Sequence, residues 1–204
     1  MSIIKNIIFD LGGVLLNIDY QRSVEAFKQL GLNGFEQMYS QAGADHLFEK
    51  LETGDISEED FYATLRSYLP SLDNSMIRKA WNTMLLDFRT GSLSCLEQLS
   101  SNYKIYLLSN TNSIHLSAFR EIFRVETGKN AIEDYFIRTY YSHEIGRRKP
   151  YVETYEYVCE DAGIRAGETL FVDDSIQNIA GAAGAGLNTH HLLPGKTIEE
   201  IILF

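Results

Sequence analysis

Cysteine and basic charge are both scarce in this chain of 204 residues. The two cysteines, Cys95 and Cys159, form no Cys-x-x-Cys pair. A chain of this length needs no disulfide framework, so both are expected as reduced thiols. Lysine and arginine number 18 against 28 aspartates and glutamates, which gives a formal net charge of -10 and a pI near 4.9. That excess of acid argues against binding a nucleic-acid backbone or an anionic membrane surface. Long apolar runs are missing too. No stretch approaches the roughly 20 residues of a membrane span, and no cleavage pattern follows the short apolar run at the start. There is no internal repeat and no low-complexity segment. The expectation is a cytoplasmic protein without nucleic-acid or membrane partners, either monomer or homodimer. At 45% hydrophobic and 23% charged residues, it has the composition of one packed core with a sizeable insertion.

Short apolar runs that stop at a polar residue mark buried parallel strands. Lys5 to Asp10 is one. Lys104 to Ser109, Ile137 to Ser142, Thr169 to Asp173 and Asn188 to Leu192 are the others. Helical patterns at Leu93–Leu99, Ile114–Phe123, Thr154–Ala162 and Ile176–Gly186 separate them. The alternation predicts an α/β fold, a Rossmann-like parallel sheet with helices on both faces. Between Asp19 and about Phe88 the pattern offers no strand. It offers amphipathic helices at Arg22–Leu30 and His46–Leu51, then one started by Ser57 and one started by Asp73. This reads as a helical insert after the first strand, residues 18–87, on a core made of 1–17 and 88–204.

In a parallel sheet, ligands bind beyond the carboxyl ends of the strands. Three of those ends carry Asp10, Ser109 and Asp173–Asp174. A lone acid at a strand end is often only a helix cap, and Asp174 could cap the helix that follows. Adjacent carboxylates, however, repel unless a cation sits between them, and hard oxygen ligands suit Mg²⁺. Arg147, Arg148 and Lys149 form the one compact cationic run, which is either a solvated patch or the positive centre that an acidic protein needs to hold an anion. Asn178, one helical turn beyond Asp174, is placed either to bond a metal site or on a helix surface. His115 reads as a surface residue. His190 and His191 share a strand, so at most one faces a site. Tyr39, Phe48, Phe61, Tyr62 and Trp81 read as packing of the insert, with one or two facing a pocket.

Taken in order, Asp10-Leu11-Gly12-Gly13-Val14, Ser109-Asn110-Thr111, Lys149-Pro150 and Asp173-Asp174-Ser175 resemble the four motifs of the haloacid dehalogenase superfamily. The insert resembles its α-helical cap. Phe-Asp-Leu-Gly-Gly-Val and Glu-Thr-Gly-Asp-Ile-Ser further resemble the subgroup of bacterial α-glucose-1-phosphate phosphatase and the N-terminal domain of soluble epoxide hydrolase.

The resemblance implies a Mg²⁺-dependent phosphatase of a small phosphorylated metabolite, with sugar phosphates such as glucose 1-phosphate first. Asp10 would be the nucleophile. Asp10, the Gly12 carbonyl and Asp174 would hold the metal, with Asp173 as a ligand or as support behind them. Ser109 and the Asn110 amide would hold phosphoryl oxygens, and Lys149 would neutralise charge. One position departs from the family pattern. Its phosphatases usually carry an acid two residues after the nucleophile, where this chain has Gly12. An easy leaving group, another acid (Asp19, His46 or Glu49) or slow turnover would each accommodate that. A phosphate-accepting regulator and a 2-haloacid dehalogenase are the competing readings. The acidic pair weighs against the dehalogenase, which needs no Mg²⁺.

Overall fold

The computed structural model describes residues 3–39 and 46–201. In chain order the elements are β1 (Asn6–Phe9), β2 (Leu16–Ile18), α1 (Tyr20–Gln29), α2 (Phe35–Tyr39), α3 (Leu47–Thr53), α4 (Glu58–Tyr68) and α5 (Asn74–Asn82). Then come β3 (Leu85–Phe88), α6 (Thr90–Leu99), β4 (Lys104–Ser109), α7 (Ser113–Thr127), β5 (Arg138–Tyr141) and α8 (Ser142–Ile145). The chain closes with α9 (Val152–Ala162), β6 (Thr169–Asp173), α10 (Ile176–Gly184) and β7 (Asn188–His191).

Five strands form one parallel sheet in the order β5-β4-β1-β6-β7. Alternate side chains feed two cores, as strand pleating requires. Ile7, Phe9, Ile105, Leu107 and Val172 pack under α6 and α7 against Leu96, Phe119 and Phe123. Ile8, Tyr106, Leu108 and Phe171 face the other way, onto Tyr155 and Val158 of α9 and Ile179 and Ala182 of α10. The middle strands are buried on both faces, which is why they read as continuous apolar runs. Cys159 is buried and Cys95 partly so, and both are free thiols.

Helices α1 to α5 pack around a separate cluster that includes Phe27, Phe35, Phe61, Leu65, Ile77 and Trp81. The start signals hold at atomic level. Ser57 Oγ accepts from the Asp60 N–H at 3.1 Å, and the Asp60 carboxylate accepts from the Ser57 N–H at 3.0 Å, a reciprocal capping box. Asp73 accepts from the Met76 N–H at 2.8 Å.

One expectation is corrected. The stretch from Asp19 to Phe88 does contain a strand: β3 pairs antiparallel with β2 where the chain enters and leaves the insert. Strands of three or four half-buried residues carry too little periodicity to be read. Arg89, just past β3, ties this ribbon to the core side by donating to Asn17 Oδ1 at 2.7 Å.

Candidate active site

The sheet order makes β4, β1 and β6 neighbours, so their carboxyl ends set Ser109, Asp10 and Asp173 side by side. Asp10 extends β1 by donating its N–H to the Val172 carbonyl at 2.9 Å. Lys149 arrives between them from the loop before α9. Its Nζ lies 2.7 Å from Asp10 Oδ1 and 2.7 Å from Asp173 Oδ2, and its side chain is 1% exposed. The solvated-patch reading of the cationic run therefore fails for Lys149. It holds for Arg147, which is exposed and lies over the Tyr157 ring.

The Asn110 carboxamide grips the Lys149 backbone from both sides, with Nδ2 donating to the carbonyl and Oδ1 accepting from the N–H, each at 2.9 Å. The Asn110 side chain fixes Lys149, so any contact from Asn110 to a phosphoryl oxygen would come from its backbone N–H. Ser109 is buried at the same edge and lines the cleft.

Asp173 is the supported carboxylate of the acidic pair. Besides Lys149 it accepts from the Ser175 N–H at 2.8 Å and from Asn178 Nδ2 at 3.1 and 3.0 Å. The Ser175 N–H at the start of α10 is thus taken by Asp173, and not by Asp174 as the helix-cap reading would have it. The Asp174 carboxylate turns instead towards Gly13, where φ is +75° and a Cβ would overlap it. Glycine at 13 serves both the left-handed backbone and that close approach. His191 hydrogen-bonds the Asp174 carbonyl at 3.0 Å.

Oxygens of Asp10, Asp173 and Asp174 all lie within 4.8 Å of one another. Three carboxylates face one ammonium, leaving two formal negative charges without a partner in the cluster. Burial, ahead of the opposing Lys149, pushes the Asp10 carboxyl above the usual carboxylate range, and the other two aspartates push the same way. Asp174 is raised by burial and by Asp173. Burial alone would lower the Lys149 ammonium, but Asp10 and Asp173 outweigh it and keep it charged. A divalent cation supplies the two missing charges, and an all-oxygen donor set fits Mg²⁺. The residues present fit the metal.

The cluster opens into a cavity of about 730 Å³ between the sheet edge and the insert. Of the acids considered as replacements at position 12, Asp19 does not line it. It caps α1, accepting from the Gln21 N–H at 3.0 Å. His46 and Glu49 do line it, 3.2 Å from one another. Gly12 lies under Ile18 of β2, whose Cδ1 would be 3.1 Å from a Cβ there. A side chain at 12 would therefore press on the end of the Ile18 side chain, which would have to give by a few tenths of an ångström. Phe48 and Trp81 reach the cavity, whereas Phe61 and Tyr62 pack inside the insert. The Tyr39 side chain lies outside the described residues. Glu52, Arg148 and Tyr20 also line the cavity. Of these, Tyr20 gave no sequence signal, and Glu52 entered only as the first residue of the Glu-Thr-Gly-Asp-Ile-Ser stretch, with no role attached.

His115 is the other correction, being buried where a surface position was expected. It stacks on Trp81 at 4.6 Å between ring centroids, and its Nε2 is 3.3 Å from the Trp81 carbonyl. A carbonyl only accepts, so Nε2 carries the proton and Nδ1 faces Asn112 Nδ2. Burial pulls the pKa down to about 4, and the imidazole is neutral at pH 7. The unfolded chain binds this proton near pH 6.5 and the folded chain only near 4, so stability rises with pH through that window. The difference is on the order of 3 kcal/mol. Melting temperature should therefore fall more steeply from pH 6.5 to 4 in the wild type than in His115→Gln. Parallel profiles would refute this.

A family model described as haloacid dehalogenase-like hydrolase matches residues 4–186, and the chain belongs to that family. D-ribitol-5-phosphate phosphatase of Bacteroides thetaiotaomicron is 34% identical over 178 residues, 86% of this chain and 85% of the relative. A sesquiterpene phosphatase of Aspergillus oryzae is 30% identical over 198 residues, 92% of this chain and 89% of the relative. Among solved structures, a haloacid dehalogenase family enzyme from B. thetaiotaomicron, complexed with magnesium and inorganic phosphate, superposes with a TM-score of 0.87. It is 37% identical, covering 96% of this chain and 97% of the other. Within its family the chain is a phosphoric monoester hydrolase, and its cofactor is Mg²⁺.

Proposed function

We propose that the chain hydrolyses a small phosphorylated polyol or sugar through an aspartyl-phosphate on Asp10, inside a cleft capped by residues 18–87. The observation that carries this is the buried cluster in which Lys149 joins Asp10 to Asp173 at 2.7 Å each, with Asp174 alongside. Ribitol 5-phosphate, from the bacterial relative, and glucose 1-phosphate, from the motif resemblance, are the first two candidates.

Mg²⁺, held by Asp10, Asp174, the Gly12 carbonyl and, directly or through its support, Asp173, would draw charge off the phosphoryl group. An Asp10 carboxylate oxygen forms a bond to phosphorus while the ester P–O bond breaks, its electrons going to the leaving oxygen. Lys149 is fixed by Asn110 and balances charge on Asp10 and the phosphoryl oxygens. Ser109 and the Asn110 N–H hold those oxygens in place. Water then attacks phosphorus, releasing inorganic phosphate and restoring the carboxylate. Positioning and electrostatics carry such a transfer. Position 12 contributes no proton, so esters with good leaving groups should react fastest.

The test is phosphate release from a panel of polyol, sugar and apolar phosphates, with Mg²⁺ and with EDTA. Turnover of polyol or sugar phosphates that EDTA abolishes is the expected result. No turnover of any ester, or turnover indifferent to EDTA, would overturn the reading.

A further inference from the structure

The wall of the cavity facing the phosphate end carries an ion pair that the chemistry above does not use. Glu52, in the last turn of α3, holds Arg148 from the core, with its carboxylate 3.0 Å from Arg148 Nε. Glu49, one turn earlier on the same helix, lies 3.7 Å from Arg148 Nη1 and accepts from the Tyr151 hydroxyl at 3.1 Å. All four side chains line the same cavity as Asp10 and Lys149. Arg148 is the chain neighbour of Lys149, whose backbone Asn110 clamps. The pair therefore sits at a fixed offset from the phosphate end of the cleft.

We propose that Glu52 and Arg148 determine specificity by binding hydroxyl groups of the alcohol portion of the substrate, which selects polyhydroxylated phosphates over apolar ones. This rests on the phosphatase reading of the site.

A hydroxyl both donates and accepts. A carboxylate beside a guanidinium offers an acceptor and donors side by side, which matches one hydroxyl or a vicinal pair. The pair is only partly wet, at 19% side-chain exposure for Glu52 and 23% for Arg148. A substrate that closes the cleft removes the remaining water. Hydroxyls replace its hydrogen bonds, whereas an alkyl or prenyl chain leaves a charged pair without them. Sites built to bond a hydroxyl reject analogues lacking it far more strongly than apolar pockets reject an extra one. Glu49 and Glu52 together also repel a second anionic group, so the preferred alcohol is neutral. Burial, ahead of Arg148, already pushes the Glu52 carboxyl above its usual range, so further donors to it are favoured. Trp81, Met84 and Leu85, which line the same cavity, can take the carbon face of such a chain.

The experiment measures kcat and KM for ribitol 5-phosphate, phenyl phosphate and farnesyl phosphate in the wild type, Glu52→Gln and Glu52→Leu. Gln keeps an oxygen for Arg148 and so keeps the link between insert and core, while Leu removes it. Selectivity is the ratio of kcat/KM for ribitol 5-phosphate to that for phenyl phosphate. It should fall at least tenfold in both variants, mainly through KM, with melting temperature held in Glu52→Gln. A ratio unchanged in both variants would overturn the proposal and leave the pair as a structural link. A wild-type preference for farnesyl phosphate would overturn it too. Absence of turnover on all three esters in the wild type would instead sink the phosphatase reading itself.

Discussion

Asp10→Asn should abolish phosphate release and, in metal-free buffer, raise the melting temperature. The first effect follows from removing the attacking carboxylate. A loss of at least about 10³-fold is expected, in line with the cost of deleting a nucleophile in other enzymes. The second follows from the charge count in the cluster. Three carboxylates share one ammonium within 4.8 Å, and burial already pushes Asp10 towards its protonated form. Asparagine makes that neutral state permanent. Its carbonyl oxygen can still accept from Lys149 and from the Leu11 N–H, which now meets Asp10 Oδ1 at 2.7 Å. Relief of about 1–2 kcal/mol is expected from removing a partly uncompensated buried charge. For a chain of this size that is roughly 2–8 °C. The further rise that Mg²⁺ produces in the wild type should shrink in the variant, because a ligand charge is gone. Thermal unfolding with EDTA and with Mg²⁺, beside a phosphate-release assay, checks all three. Retained turnover, or a lower melting temperature in EDTA, would show that Asp10 is not the strained nucleophile described.

The strand ends that make this cluster were legible because chemistry and periodicity coincided there. Apolar runs stopping at Asp10, Ser109 and Asp173 gave the parallel sheet, and the sheet gave one shared edge. From charge alone Lys149 was legible only as part of a run, and it was the resemblance of Lys149-Pro150 to a family motif that singled it out. Nothing in Arg147-Arg148-Lys149 says which cation is buried, since that is decided by the Asn110 clamp on the loop. The division of labour between Asp173 and Asp174 came only from the resemblance, which put Asp174 on the metal and left Asp173 as ligand or support. Adjacent residues on an exiting strand point opposite ways, and only the fold sends Asp173 to Lys149 and Asn178 and Asp174 to Gly13. Glu52 was legible only as the start of the Glu-Thr-Gly-Asp-Ile-Ser stretch, and its place in the cleft was hidden for a similar reason. An acid near the end of an amphipathic helix usually faces water, and its partner Arg148 lies 96 residues away in sequence. His115 reads as surface because its helix is amphipathic. The insert that covers it is held by long-range packing, which no local window reports.

Lys149→Met should produce the opposite stability change with the same loss of activity. Methionine matches the length of the lysine stem and can lie over the Phe171 ring, above which the ammonium now sits 5.5 Å from the centroid. Packing is thus largely kept and the charge removed. Asp10 and Asp173 would then face each other, buried, with no cation between them. Breaking a buried pair from one side typically costs about 3–5 kcal/mol, here roughly 6–20 °C in metal-free buffer. Mg²⁺ should recover more melting temperature in this variant than in the wild type, since a third negative charge is left for it to balance. The double variant Asp10→Asn/Lys149→Met supplies the decisive comparison. If the two groups act on stability through each other, removing Asp10 must lessen the cost of removing Lys149, so the double variant should be more stable than the sum of the single changes by about 1–3 kcal/mol. Additive changes would mean that Lys149 stabilises the fold through its stem and its bond to Asp173 alone. Coupling, with turnover absent from all three variants, would assign to one buried ion pair both the instability of the metal-free site and the charge balance its chemistry needs.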